Sequence, residues 1–246
     1  LARIDWKLAR FRNSGTYCRK YYQIFRINKM EAIMDFLRNT DVFLWPIISI
    51  LIIVGFIVGF VNTIAGGATA LSYILFMGMG MPANVANGTT RLGVTLQFMT
   101  SSIVYNKEGY LDKKKGLQIG IPVTLGSIGG AQFAATLNIK AFEVCLSFAL
   151  LIMLFFLFYD SKKFLKEQTE KLSKNIDWKV WIAFLLIGFY GGFTHIGVGI
   201  FILIASVLLV GFDLLRANAI KQFAVMMYAP FALLVFALNG QVKWAI

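Results

Sequence analysis

Residues 59–71 read GFVNTIAGGATAL, a stretch in which polar residues and glycine interrupt an apolar run. The apolar block before the interruption covers residues 43–64, and a helix that crosses a bilayer needs roughly 20 such residues. The block after it, residues 69–81, is too short to cross alone. This pattern predicts a discontinuous helix, because free backbone ends are tolerated at membrane depth only where they line a protein-enclosed or watery cavity.

A second stretch of the same kind lies later in the chain. Residues 188–201 read GFYGGFTHIGVGIF, and polar and glycine-rich residues at 191–199 divide an apolar block at 178–196 from a short one at 199–210. Four further apolar blocks lie at 84–105, 117–137, 141–159 and 214–238. The sequence therefore predicts an all-α, polytopic membrane protein with two broken helices.

The two broken-helix units are predicted to be copies of one ancestral unit. Three pairs of residues share an offset of 131: Gly66 and Gly197, Asn87 and Asn218, and Gly109 and Gly240. Such internal repeats are common in secondary transporters. We expect a first transmembrane repeat at 43–159 and a second at 180–246. The second repeat is expected to be truncated, since it lacks counterparts of the blocks at 117–137 and 141–159.

Composition agrees with a membrane location. The 246 residues are 58% hydrophobic and 15% charged, against about 45–50% and about 25% in soluble domains. The net charge of +12 is confined to the polar segments, which argues against a basic surface for nucleic acid. Cys18 and Cys145 have no spacing typical of a disulfide or a zinc site, so we expect free thiols, no metal site and no cofactor.

The distribution of lysine and arginine predicts the orientation of the chain. Residues 1–42 form a basic leader with nine Lys or Arg, interpreted as a cytoplasmic segment that is either disordered, interfacial or not native. The loop at 106–116 holds four lysines and the linker at 160–179 holds six, whereas the turns at 135–143 and 211–216 hold one basic residue each. The positive-inside rule therefore places the N-terminus, the loop and the linker in the cytoplasm.

These motifs resemble the TauE/SafE family of sulfite exporters, also called the TSUP family of membrane transporters. The similarity covers residues 44–246 and rests on GFVNTIAGGATAL, ANGTTR at 86–91, GFYGGFTHIGVGIF, GFDLLRANAIK at 211–221 and NGQVKW at 239–244. It implies a twofold-repeated helical transporter of small anions, often sulfur-containing or organic, normally with seven to nine spans. Ala68 departs from the family, which commonly has a third glycine there, and His195 stands where a small residue is usual.

Arg91 and Lys221 are the only basic residues well inside the apolar spans. A charge at that depth costs at least a few kcal/mol unless it faces a cavity or a partner. Two interpretations remain open. Each cation contributes to an anion site, or each is structural, satisfying carbonyls of the adjacent broken helix or extending to the membrane surface.

The other candidate substrate-binding residues flank the breaks and the two cations: Asn62, Gly66, Gly67, Asn87, Thr89, Gly197, Gly199 and Asn218. Backbone N–H groups at the start of a half-helix attract anions, although glycine also permits close helix packing and asparagine also joins helices. His195, the sole histidine, is either a proton carrier or a neutral hydrogen-bonded side chain.

The sequence favours a secondary transporter of a small anion in the cytoplasmic membrane. Sulfite, another sulfur oxyanion or an organosulfonate, moved by alternating access, fits the proposed site. The alternatives are a non-transporting membrane component or remnant, or an intramembrane enzyme, for which the spans lack a buried carboxylate pair. The bilayer is the expected environment, and the anion, the direction, the coupling ion and a homo-oligomeric state are left open.

Overall fold

The chain folds into helices whose limits follow the apolar blocks. A computed structural model describes residues 45–64, 66–158 and 176–244, and this part of the chain contains no strand. The helices are α1 (Trp45–Ile64), α2 (Thr69–Gly78), α3 (Ala83–Lys107), α4 (Lys113–Thr136), α5 (Ile139–Phe158), α6 (Trp178–Phe193), α7 (Val198–Ala205) and α8 (Leu214–Leu238). A π-helical segment, Ser206–Val210, continues α7. The prediction of an all-α membrane protein is confirmed, while the leader at 1–42 and most of the linker lie outside the described residues.

Both predicted interruptions separate a longer helix from a short one. Helix α1 ends at Ile64 and α2 begins at Thr69, and α6 ends at Phe193 before α7 begins at Val198. Gly66 and Gly67 have φ values of 86° and 92°, and Gly197 has 72°. Because L side chains rarely adopt such angles, glycine supplies the backbone turn after α1, whereas the turn after α6 begins with His195 at φ 60° and ends with Gly197, the residue before α7.

Helices α4 and α6 cross so closely that their backbones touch. A methyl group on Gly126 or Gly130 of α4 would meet the backbone of α6, and one on Gly188 or Gly192 of α6 would meet the backbone of α4. Each helix therefore carries two glycines four residues apart at the crossing, a spacing that lets membrane helices approach closely. This crossing fixes the position of the α6 end, and thus of the second break.

The outer surface of the bundle is strongly apolar. Two of the described helices, α1 and α8, are each long and apolar enough to cross a membrane, judged by length and composition. On α1, Ile52, Phe56 and Phe60 are all at least 60% exposed. Residues of this kind on the outside suit contact with lipid chains. Helix α8, by contrast, packs against α3, α4 and α7 and supplies much of the buried interior.

Candidate functional site

The two breaks lie directly against each other. A methyl group on Gly66 would stand 3.2 Å from the backbone nitrogen of Ile200 and 3.3 Å from the Gly199 backbone. A methyl group on Gly199 would stand 3.5 Å from Gly66 Cα and 3.3 Å from Lys221 Cδ. A side chain at Gly66 would be tight against the second break and strained by the positive φ, whereas the contacts at Gly199 are close to ordinary van der Waals distances.

Side chains of α2 and α3 bind the end of α6. Arg91 donates from Nη1 to the Gly191 carbonyl at 3.0 Å and from Nη2 to the Gly192 carbonyl at 2.6 Å. Asn87 Nδ2 donates to the Phe193 carbonyl at 2.7 Å. The last four carbonyls of a helix have no intrahelical partner, and a cation is favoured there by the helix dipole. We call Arg91, Asn87 and Tyr73, which is described next, the α6 clamp.

Tyr73 completes the α6 clamp. Its hydroxyl donates to the Thr194 carbonyl at 2.7 Å and also bonds Asn87 Oδ1. The same Asn87 oxygen accepts from Arg91 Nη2 at 3.1 Å, so the three side chains form one connected network. Arg91 is fully buried, with its guanidinium carbon 5.1 Å from the centre of the Phe236 ring. Its Nε is buried without a hydrogen-bond partner, so the N–H at this atom is unused.

Side chains of α8 bind the end of α1 in the same way. Lys221 Nζ donates to the carbonyls of Asn62 and Thr63 at 3.1 and 3.2 Å. The Thr63 carbonyl also accepts from Asn218 Nδ2 at 3.0 Å and from Gln222 Nε2 at 2.9 Å. We call Lys221, Asn218 and Gln222 the α1 clamp. Lys221 is as fully buried as Arg91.

The two clamps are exchanged between the two halves of the molecule. Residues that follow the first break hold the helix that precedes the second break, and residues that follow the second break hold the helix that precedes the first. Among the described residues no Asp or Glu is buried, so neither cation has a carboxylate beside it in the interior. Backbone carbonyls accept from both cations, and Asn87 Oδ1 also accepts from Arg91.

Comparisons with known proteins relate the chain to membrane transporters. A family model described as Sulfite exporter TauE/SafE matches residues 51–246. The chain belongs to this family. Relatives include a probable membrane transporter protein of Haemophilus influenzae, 29% identical over 81% of this chain and 78% of the relative, and the probable membrane transporter protein YfcA of Escherichia coli K12, 28% identical over 81% and 73%. YunE of Bacillus subtilis, also a probable membrane transporter protein, is 24% identical over 79% and 80%, and no solved structure matches significantly.

Two residues of the clamps, Gln222 and Tyr73, were not among the candidates from the sequence. Gln222 lies 131 residues after Arg91, so the offset of the repeat points to it, whereas Lys221 is displaced by one position. Arg91 donates to the Gly192 carbonyl, and Gln222 donates to the Thr63 carbonyl. In each case this carbonyl is the second of two consecutive carbonyls that the clamp binds. Tyr73 had no such signal, because its partners are 14 and 121 residues away.

The side chains of the remaining candidates have partners outside the two clamps. Asn62 joins the two sides of the first break, since its Nδ2 donates to Thr69 Oγ1 at 3.2 Å and its Oδ1 accepts from the Ala68 amide at 2.9 Å. The Thr89 hydroxyl accepts from the Lys243 amide at 3.1 Å. Of the predicted backbone donors, Gly66 N–H is already bonded to the Val61 carbonyl at 3.1 Å. Thr89 thus bonds the segment after α8 and belongs to neither clamp.

His195 occupies a strained position in the second break. It is the non-glycine residue with a positive φ, 60°, in the described part of the chain, and it is buried. Its Nδ1 lies 2.5 Å from Tyr228 Oη, and its ring meets Phe98 edge-on at 6.0 Å between centroids. Its backbone N–H donates to the Gly191 carbonyl, which also accepts from Arg91, so the histidine adjoins the α6 clamp.

A cavity of about 340 Å³ lies between α1, α2 and α3. Its lining is mostly apolar, with hydroxyl groups from Ser72, Thr89 and Thr90 and the amide of Gln97. Neither Arg91 nor Lys221 lines it. In this conformation the two buried cations are thus closed off from that space, and their donors are directed at carbonyls.

Proposed function

We propose that this TauE/SafE-family protein is a secondary transporter that moves a small anion across the cytoplasmic membrane by alternating access. The substrate class is sulfite, another sulfur oxyanion or an organosulfonate. The observation that carries the proposal is the pair of buried cations at two abutting helix breaks, with no buried carboxylate among the described residues.

The charge arrangement favours an anion over a cation or a neutral solute. Arg91 and Lys221 are buried, and each is stabilised by uncharged groups, mainly carbonyl and amide oxygens, which neutralise part of a charge. A net positive interior in a low-dielectric medium attracts a small anion strongly. Both cations also retain donor capacity, because Arg91 Nε is unpartnered and Lys221 Nζ uses two of its three hydrogens on carbonyls.

The exchanged clamps support movement of one half against the other. Each clamp joins a half-helix end of one repeat to the third helix of the other, so relative motion of the repeats must lengthen or re-form these hydrogen bonds. An anion that takes over donors from Arg91 or Lys221 would weaken the bonds to the carbonyls. In this proposal substrate binding therefore changes the same contacts that fix the two breaks, as alternating access requires.

The direct test is anion flux in vesicles that contain the purified protein. We expect saturable uptake of sulfite, thiosulfate or a short alkanesulfonate above that of protein-free vesicles, with competition among members of the class. The neutral analogue dimethyl sulfone and the cation choline serve as controls of similar size and should not be carried. Equal flux of all solutes, or none with any anion of the panel, would contradict the proposal.

A topology prediction follows from the charge distribution. Cysteines introduced at Lys114 and at Lys171, in a chain whose Cys18 and Cys145 are replaced by serine, should resist a membrane-impermeant thiol reagent on intact cells and react after permeabilisation. The reason is that lysine-rich loops are retained in the cytoplasm. A cysteine at Lys140, in the opposite turn, is the matched control and should react without permeabilisation. Labelling at Lys114 or Lys171 from outside would reverse the assigned orientation.

A further inference from the structure

The ends of the first half-helices are sites built to hold a positive charge. In transporters with broken helices, the carbonyls at the half-helix C-terminal ends coordinate the coupling cation. Here the carbonyls of Asn62 and Thr63 at the end of α1 converge on Lys221 Nζ, and those of Gly191 and Gly192 at the end of α6 converge on the Arg91 guanidinium. Both positions are occupied by a cation that the chain itself supplies.

We propose that Lys221 and Arg91 are tethered cations that take the place of mobile coupling cations at the two helix breaks, so that transport needs no Na⁺. The inference rests on the proposed transport function, and it goes further by naming what fills the two cation positions. Each tethered cation comes from the opposite repeat, so it also holds the two halves together without an ion from solution.

The surroundings of Lys221 are those of a hard-cation site. Besides the two carbonyls, the buried oxygens Asn218 Oδ1 and Gln222 Oε1 have no hydrogen-bond partner. The Thr63 carbonyl accepts from three donors although an oxygen has two lone pairs. The donors around this carbonyl therefore exceed its lone pairs, while the two amide oxygens accept from no donor. Removal of the lysine side chain would leave the Asn62 and Thr63 carbonyls beside the space of its ammonium group, and carbonyl oxygens are ligands that suit Na⁺ or a small ammonium ion.

The surroundings of Arg91 select a planar cation instead. Two carbonyl oxygens and Asn87 Oδ1 accept from its two terminal nitrogens, and the guanidinium carbon lies 5.1 Å from the Phe236 ring centre. A guanidinium ion has a planar fork of donors that matches such a set of oxygen acceptors, and it can stack on an aromatic ring. An ammonium ion is a point charge and has neither property. The two sites should therefore differ in the free cation that each accepts once its side chain is removed.

The test is chemical rescue of stability, which needs no transport assay. Thermal unfolding of purified Lys221→Ala is measured with methylammonium chloride, sodium chloride or choline chloride at equal ionic strength, and Arg91→Ala with methylguanidinium chloride or choline chloride at low millimolar concentration. Lys140→Ala and Arg216→Ala, at exposed positions, are the matched controls. At ten times its dissociation constant, a bound cation should raise the unfolding temperature by about 3–6 °C.

We expect methylammonium and sodium, but not choline, to stabilise Lys221→Ala, and methylguanidinium to stabilise Arg91→Ala, while neither control responds. Rescue no better than choline in both folded variants would overturn the proposal. Should either variant fail to fold, the wild-type protein decides the matter. A filled site predicts the same unfolding temperature in sodium and choline, and stabilisation by sodium alone would show that a mobile cation still binds. Equal unfolding temperatures of the wild-type protein in sodium and in choline, together with no anion flux, would reject the transport proposal. The proposal of tethered cations would then still hold.

Discussion

Replacing Arg91 with glutamine should lower anion transport by about 100-fold at unchanged membrane insertion. The substitution removes two charge-assisted hydrogen bonds to the Gly191 and Gly192 carbonyls, and each such bond contributes about 1.5–3 kcal/mol. It also removes the charge that attracts the anion, while the glutamine amide keeps some hydrogen bonding. Initial uptake rates in vesicles, normalised to the amount of inserted protein, measure the effect.

Two variants separate the charge from the shape of the side chain. Arg91→Lys keeps the charge and loses only the bidentate fork, so it should retain part of the activity. Arg216→Gln, at an exposed arginine at the start of α8, is the control and should transport at the wild-type rate. If Arg91→Gln and Lys221→Gln both transport normally, the two cations are structural and the site must rest on the glycine breaks alone.

The helices and both breaks were predictable because their causes are local. The apolar block at 43–64 and the Gly66–Gly67 pair specify a helix and its end within one stretch of chain, and α1 ends at Ile64. The spacing of Asn87 and Arg91 placed the two side chains on one helical face. They do share a target, the end of α6.

The partners of the clamps were not predictable from local patterns. The structural alternative assigned each cation to the adjacent broken helix, but Arg91 reaches carbonyls 100 and 101 residues away, and Lys221 reaches carbonyls 159 and 158 residues away. Such pairs depend on how the two broken-helix units face each other, which hydropathy does not encode. Gln222 was not predicted although it directly follows Lys221 and lies 131 residues after Arg91.

Glycines in α4 were likewise underestimated. Gly126 and Gly130 share a four-residue spacing that Gly129 lacks, which indicates close helix packing but does not identify the partner helix. The structure distinguishes them by direction. Gly130 faces the α6 backbone, whereas a methyl group on Gly129 would make only ordinary contacts, 3.7 Å from the Phe189 ring.

Gly130→Ala should destabilise the protein far more than Gly129→Ala, although the two positions are neighbours. A methyl group at Gly130 would collide with the carbonyl of Phe189 and the amide of Phe193, and backbone atoms cannot turn aside as a flexible side chain can. Overpacking of this kind costs about 1–3 kcal/mol, so the unfolding temperature in detergent should fall by several degrees for Gly130→Ala and stay unchanged for Gly129→Ala. The displaced α6 end also carries the Phe193 carbonyl that Asn87 holds, so Gly130→Ala should slow transport as well. Equal unfolding temperatures for the two variants would show that α4 and α6 do not approach this closely in the membrane protein.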